Sequence, residues 1–126
     1  MSELCFVYGT LKRGYPNHSV MERAGGIYYG PALLPHYRMF SLGGFPGILP
    51  TKEVGEPVHG EVFGVVNWKP LDRLEGYRPG DPENSMYFRQ SVLVYLPDQE
   101  PVWVQTYIWN GASEFLEDTI QSGVWV

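Results

Sequence analysis

The chain has 126 residues, of which 44% are hydrophobic and 15% aromatic, and this fits one globular domain spanning residues 1–126. The formal net charge of −5 argues against nucleic-acid binding, because the only basic cluster, Lys12-Arg13, is too short to neutralise a run of phosphates. The single cysteine, Cys5, excludes an intrachain disulfide and predicts a cytoplasmic location, and no apolar run is long enough to predict a membrane span.

The predicted elements are mostly strands, because high aromatic content with 15 glycines and 11 prolines favours strands and tight turns over long helices. Strands are predicted over residues 4–8, 27–34, 37–42, 58–66, 86–96 and 102–109. Short helices are predicted over residues 17–24, 69–76 and 113–121, the last one capped by Ser113. The Gly- and Pro-rich segment 43–50 is predicted to be a loop or an irregular edge strand.

The helix near the middle of the chain has the clearest local signals. Asn67 is predicted as its N-cap, Pro70 fits the first turn, and Gly76 is predicted to end the helix. Leu71 and Leu74 are spaced to share one helical face. Because strand-rich small domains avoid exposed edges by closing on themselves, the whole pattern predicts an α+β domain built on a small mixed β-barrel with short flanking helices.

The segment FVYGTLKRGYPNH, residues 6–18, ends the first strand abruptly at Gly9. A glycine here predicts a sharp bend or a close approach to a phosphate, to another part of the protein, or to a different anionic ligand. The spacing of Gly9 and Gly14 matches a nucleotide phosphate loop, but Tyr15 and Pro16 stand where that loop requires Lys and Ser or Thr. A nucleotide phosphate loop is therefore rejected.

Other common catalytic patterns are missing from the sequence. The histidines at 18, 36 and 59 lack metal-ligand spacing, and one cysteine cannot supply a structural zinc site. His59-Gly60-Glu61 matches half of a zinc-deaminase motif, but the paired cysteines are absent. No Gly-x-Ser-x-Gly segment is present for a serine hydrolase. We therefore expect neither a metal nor a cofactor.

Two features remain that suit acid–base chemistry on a small anion. Successive backbone amides in a tight glycine turn after the first strand can form an anion-binding nest. Glu75 is predicted in the last helical turn, where the negative end of the helix dipole makes a carboxylate harder to ionise. Such a carboxylate suits proton transfer, although most helix-end glutamates are simply solvated, and the pattern alone leaves both interpretations open.

The sequence resembles the γ-glutamylcyclotransferase-like superfamily over essentially its whole length, and is most similar to the small γ-glutamylamine cyclotransferase-like proteins. Three segments carry the resemblance: YGTLKRGYPNH at 8–18, LDRLEGY at 71–77 and MYFR at 86–89. The resemblance implies a mixed β-barrel with a cavity at one side. It also implies a small-molecule γ-glutamyl substrate that cyclises to 5-oxoproline, releasing a free amine.

The resemblance also implies roles for individual residues. Glu75 would be the catalytic acid and base, and the backbone of Tyr8, Gly9, Thr10 and Leu11 would hold the γ-glutamyl end of the substrate. Aromatic residues similar to those of relatives stand at three further positions, Tyr77, Tyr87 and Tyr107. Their rings would form apolar walls, and their hydroxyls would supply directed hydrogen bonds.

A non-catalytic domain that binds a small ligand or a protein is the alternative on the same fold, and a purely structural domain without a cavity is a third possibility. The place of Glu75 distinguishes them: in the cavity it favours the enzyme, and turned to solvent it disfavours it. The sequence leaves the leaving amine and the oligomeric state open.

Overall fold

The computed structural model describes residues 3–111 and 118–126, and its strands form two sheets. The larger sheet has the strand order β2-β5-β1-β7-β6, and the smaller one has the order β4-β3-β8. Among the strands of the described residues, only the β1–β7 pair is parallel, and the other pairs are antiparallel. The strands are β1 (Glu3–Val7), β2 (Ile27–Leu34), β3 (Tyr37–Ser41), β4 (Pro46–Pro50), β5 (Val58–Val65), β6 (Tyr87–Val94), β7 (Val102–Trp109) and β8 (Thr119–Ile120).

Two short α-helices and one 3₁₀ turn complete the described elements: α1 (His18–Arg23), α2 (Lys69–Glu75) and the 3₁₀ helix Pro82–Asn84. Helix α2 begins after Trp68, and Asn67 contributes by accepting a hydrogen bond from the Lys69 N–H through its side-chain oxygen. Gly76 ends α2 in the left-handed conformation (φ 64°), as predicted from the sequence.

The helix predicted over 113–121 is only partly testable, because residues 112–117 lie outside the described residues. At Thr119 and Ile120 the helical prediction is wrong. These two residues form β8 and pair with Phe40 and Met39 of β3. Both are β-branched, which suits a strand better than a helix.

The α+β class is confirmed, but the prediction of a β-barrel is wrong in that, among the described residues, neither sheet closes. The outer strands β2 and β6 approach through a single bridge, in which Leu33 and Tyr95 exchange two backbone hydrogen bonds of 3.0 and 2.9 Å. In that register the next hydrogen-bonded pair would join Pro31 to Pro97, and the pair on the other side would contain Pro35. Proline has no N–H to donate, so the ladder stops after one pair.

Strand β1 lies inside the fold with both faces covered, which explains its continuous apolar run. Side chains alternate along a strand, so Cys5 and Val7 face one side while Phe6 and Tyr8 face the other. The first pair packs in a cluster with α1 and α2, and the second pair packs in a cluster that includes Ile48 of the smaller sheet. The end of β1 is thereby held between the helices and the smaller sheet.

Candidate active site

The turn that follows β1 passes unusually close to the start of β4. A Cβ atom added to Gly9 would lie 2.6 Å from Cγ and 2.8 Å from Cδ of Pro46, a separation too short for real atoms. The sequence predicted a close approach of Gly9 to a phosphate, to another part of the protein, or to a different anionic ligand. The structure shows the second of these, a close contact with Pro46. The glycine lets the segment around Pro46 lie directly against the turn.

The carbonyl groups of this turn are bound within the protein, whereas its amides point elsewhere. The oxygens of Gly9 and Thr10 accept hydrogen bonds from the backbone N–H groups of Lys12 (3.2 Å) and Asn17 (2.9 Å). The Asn17 side chain also donates to Thr10 Oγ1 at 3.0 Å. Within residues 3–111 and 118–126, the N–H groups of Gly9, Thr10 and Leu11 donate to no protein acceptor. A ligand that binds these three N–H groups would therefore displace no acceptor among the described residues.

A cavity of about 270 Å³ brings the turn and Glu75 together. Its volume is just below the roughly 300–1,000 Å³ of most small-ligand sites, so it suits a small substrate. Helix α2 supplies Glu75 from its last position, β6 and β7 supply Tyr87 and Tyr107, and Tyr8 directly follows β1. The lining residues are Phe6, Val7, Tyr8, Gly9, Thr10, Leu11, Asn17, Gly44, Phe45, Pro46, Leu74, Glu75, Met86, Tyr87 and Tyr107.

Glu75 is a weak acid in this setting. Glu75 is half-buried where it lines the cavity, and burial of its carboxyl group raises its pKa from the ordinary 4.5 to about 7. A carboxyl group with such a pKa is present in both protonation states near neutral pH. It can therefore both accept and return a proton there.

The raised pKa predicts how Glu75 affects stability. The folded state holds the Glu75 proton more tightly than the unfolded chain, so the resulting stabilisation is complete below pH 4.5 and is lost as the pH rises through 7. We expect Glu75→Gln, which keeps a neutral side chain at every pH, to become progressively more stable than the wild type across this interval. Urea unfolding of both proteins at several pH values measures the difference, and a difference that does not change between pH 4 and 8 would contradict the raised pKa.

The three cavity tyrosines have their hydroxyl protons engaged by the protein. Tyr8 donates to the Tyr107 carbonyl (2.7 Å), Tyr87 to the Pro46 carbonyl (2.6 Å), and Tyr107 to Asp72 Oδ1 (2.6 Å). Burial raises the pKa of all three hydroxyls, so they stay protonated. The rings form the expected walls, but their donors fix the walls in place, and only the oxygen lone pairs are left for a ligand.

Behind the cavity wall, Asp72 and Arg89 form a largely buried ion pair that the sequence did not suggest; 12% and 19% of their side chains are exposed. Arg89 Nη2 donates to Asp72 Oδ2 at 3.3 Å, and Nε lies 2.9 Å from Oδ1 without the alignment of a hydrogen bond. The guanidinium group lies over the rings of Trp68 (4.3 Å) and Tyr77 (5.4 Å). One sequence signal could have indicated that Asp72 lies near the site: in LDRLE it stands three residues, or about one helical turn, before Glu75.

Removing the cation of this pair should destabilise the protein. We expect Arg89→Met to lower the free energy of unfolding by about 3 kcal/mol, because the substitution leaves the Asp72 carboxylate buried without its counter-charge. Arg38→Met is the matched control: its partner Glu53 is exposed, and loss of that pair should cost about 1 kcal/mol or less. Urea unfolding measures both, and equal losses would contradict a structural role for the buried pair.

Of the eight catalytic and substrate-binding residues predicted from the sequence, seven line the cavity. The exception is Tyr77, which lies beside Arg89 and outside the cavity lining. The sequence did not predict the remaining lining residues, which are Phe6, Val7, Asn17, Gly44, Phe45, Pro46, Leu74 and Met86. The close packing of Gly9 on Pro46 links the Gly- and Pro-rich segment 43–50 to the site, and no local pattern indicates it.

Within the described ranges, no group of three or more His, Cys, Asp and Glu side chains is arranged to hold a metal ion. None of the helices in the part of the chain that the structure describes is both long and apolar enough to cross a membrane.

Comparisons with known proteins agree with this architecture. A family model described as "Gamma-glutamyl cyclotransferase, AIG2-like" matches residues 5–126. A Vibrio cholerae protein named "Putative gamma-glutamylcyclotransferase" is 37% identical over 65 residues, which are 52% of this chain and 53% of that protein. The alignment thus spans about half the length of this curated relative.

Solved structures extend the similarity to nearly the whole chain. The crystal structure of an AIG2-like protein from Mus musculus has a TM-score of 0.72 at 29% identity, covering 93% of this chain and 84% of that one. A uropathogenic E. coli-specific protein has a TM-score of 0.69 at 24% identity, covering 98% of this chain and 92% of that one. At this lower identity the similarity concerns the fold alone.

Proposed function

Because the chain belongs to the gamma-glutamyl cyclotransferase, AIG2-like family, we propose that it is an enzyme that cyclises a γ-glutamyl amine or a γ-glutamyl amino acid to 5-oxoproline, releasing a free amine. The family match confirms the resemblance drawn from the sequence motifs. The observation that carries the proposed chemistry is the shared cavity, lined both by Glu75 and by the turn Gly9–Leu11, whose three N–H groups have no acceptor among the described residues.

In the proposed reaction the nucleophile belongs to the substrate. The α-amine of the glutamyl group attacks its own γ-carbonyl carbon, a new C–N bond closes the five-membered ring, and the bond to the leaving amine breaks. Because the attack is intramolecular, holding the bent conformer contributes strongly to the rate. No serine or cysteine nucleophile is required of the protein.

Glu75 is proposed to move the protons. The substrate α-ammonium group, with an ordinary pKa of roughly 8, must lose a proton before it attacks. A carboxylate whose pKa is about 7 is well matched to take that proton and return it to the leaving amine. The amides of the turn are proposed to bind the substrate carboxylate or the oxyanion that forms at the γ-carbonyl.

The place of Glu75 favours this proposal over a non-catalytic binding domain. A binding domain needs the cavity and its apolar walls, but it has no use for a carboxyl group that burial makes difficult to ionise. The substrate is proposed to be a small molecule, bound without a cofactor. The free, buried Cys5 is consistent with the proposed cytoplasmic location.

An assay for 5-oxoproline tests the proposal directly. The purified protein is incubated with γ-glutamyl amines, γ-glutamyl amino acids and glutathione, and 5-oxoproline is quantified against a protein-free control. We expect enzyme-dependent 5-oxoproline from at least one compound of the first two classes. Absence of 5-oxoproline from every compound would overturn the proposed function.

A further inference from the structure

The cavity changes character between its interior and its mouth. Its inner walls carry three buried tyrosine rings and the turn after β1, in which Gly9 and Leu11 are buried and Thr10 is half-buried. Its mouth carries three large apolar side chains that are unusually exposed: Phe45 (39%), Leu74 (39%) and Met86 (48%). Single exposed apolar residues are common on protein surfaces, but three that line one opening form a patch.

Leu74 was predicted to share one face of α2 with Leu71, but the two side chains lie in different surroundings. Its partner on the predicted helical face, Leu71, is fully buried in the core, whereas Leu74 reaches the cavity mouth. The three side chains come from separate parts of the chain: the segment before β4, helix α2, and the residue before β6. Their convergence is produced by the fold.

Charged side chains are nearly absent from the described lining of the same opening. Glu75 is the only Asp, Glu, Lys, Arg or His among the lining residues that the structure describes. The segments outside the described residues, Met1-Ser2 and residues 112–117, contain no Lys, Arg or His side chain. A leaving group with a carboxylate would therefore lose its hydration without gaining a cationic partner.

From these observations we propose that the leaving group is an uncharged, apolar amine, such as an alkyl or arylalkyl amine, held by Phe45, Leu74 and Met86. The inference rests on the proposed function, which fixes the orientation. The glutamyl carboxylate and α-amine must reach the turn amides and Glu75, so the substituent on the scissile nitrogen extends towards the mouth. A second carboxylate or ammonium on that substituent would meet the apolar patch.

Two substrates of matched length test this specificity. γ-Glutamyl-n-butylamide ends its substituent in an ethyl group where γ-glutamyl-β-alanine has a carboxylate. We expect kcat/KM for the butylamide to be at least about tenfold higher, since burying each methylene is worth roughly fourfold in affinity. Equal values, or a preference for the β-alanine compound, would overturn the inference and leave the cyclotransferase function intact.

Variants test whether the patch is responsible. Met86→Lys places a cation at the mouth and should lower the butylamide preference by about tenfold, mainly through KM. Val54→Lys is the matched control, because Val54 is fully exposed and lies outside the cavity, and it should leave the preference unchanged. An unchanged preference in Met86→Lys, or an equal loss in both variants, would contradict the assignment of the patch.

Binding separates failure of specificity from failure of catalysis. Calorimetric titration of Glu75→Gln with the two substrates measures affinity without turnover. If the wild type releases no 5-oxoproline but the butylamide binds more tightly, the proposed reaction fails and the apolar specificity stands. If neither compound binds, or both bind equally, the inference is wrong whatever the outcome of the activity assay.

Discussion

Replacement of Glu75 by glutamine is expected to lower kcat for 5-oxoproline release by about a hundredfold or more, with the fold preserved. Glutamine keeps the volume and the hydrogen-bonding capacity of the side chain but cannot accept a proton. The cavity supplies no substitute, because no other Asp, Glu or His is among its described lining residues. Steady-state kinetics with a γ-glutamyl amide, together with circular dichroism of the purified variant, measure the effect.

The matched control is Glu83→Gln. This glutamate lies exposed in the 3₁₀ helix and outside the cavity, so its replacement makes the same chemical change without touching the site. We expect wild-type turnover from the control. Wild-type turnover by folded Glu75→Gln would remove Glu75 from the mechanism, and equal losses in both variants would show that the effect is not specific to the cavity.

Acetylation of the substrate α-amine is expected to abolish amine release almost completely. An N-acetylated γ-glutamyl amide has the same scissile bond, but its α-nitrogen is an amide and no longer a nucleophile. In the proposed reaction nothing replaces it, because the enzyme contributes positioning and proton transfer rather than a nucleophile of its own. Release of the amine from the acetylated and the free compound, followed with the same enzyme preparation, gives the comparison.

The acetylated compound must also be able to enter the site for this result to be informative. Competition against the free γ-glutamyl amide reports whether it binds, and an ester of the α-carboxylate provides a second blocked compound that keeps the free amine. We expect the ester to retain measurable turnover while the acetylated compound has none. Amine release from the acetylated compound at a comparable rate would mean that water attacks, and the cyclisation mechanism would be wrong.

The sequence predicted best what depends on local residue chemistry. The strand over 27–34 and the end of α2 at Gly76 follow from short-range patterns, and both occur as predicted. For the Gly- and Pro-rich segment 43–50 the sequence allows a loop or an irregular edge strand, and in the structure Pro46–Pro50 forms the edge strand β4 of the smaller sheet. The pairing of two motifs more than sixty residues apart came from the family resemblance, since no spacing rule brings Gly9 and Glu75 together.

What the sequence did not reveal depends on contacts between distant segments. The closure of a barrel was predicted from a general tendency of strand-rich domains, but Pro31, Pro35 and Pro97 prevent the outer strands from pairing beyond one bridge. Tyr77 was expected in the cavity, yet its ring lies beside Arg89, whose pairing with Asp72 only the folded chain establishes. The same holds for the apolar mouth of the cavity, which three separate segments build.

The most direct test of cyclisation is the identity of the product formed in ¹⁸O-labelled water. A γ-glutamyl alkyl amide is turned over by the wild-type protein, and the acidic product is analysed by mass spectrometry. Cyclisation predicts 5-oxoproline that contains no oxygen from the solvent, because the ring carbonyl keeps the oxygen of the original γ-carbonyl group. Glutamate that carries one solvent oxygen would contradict cyclisation, since it would show hydrolysis by water in place of attack by the substrate's own amine.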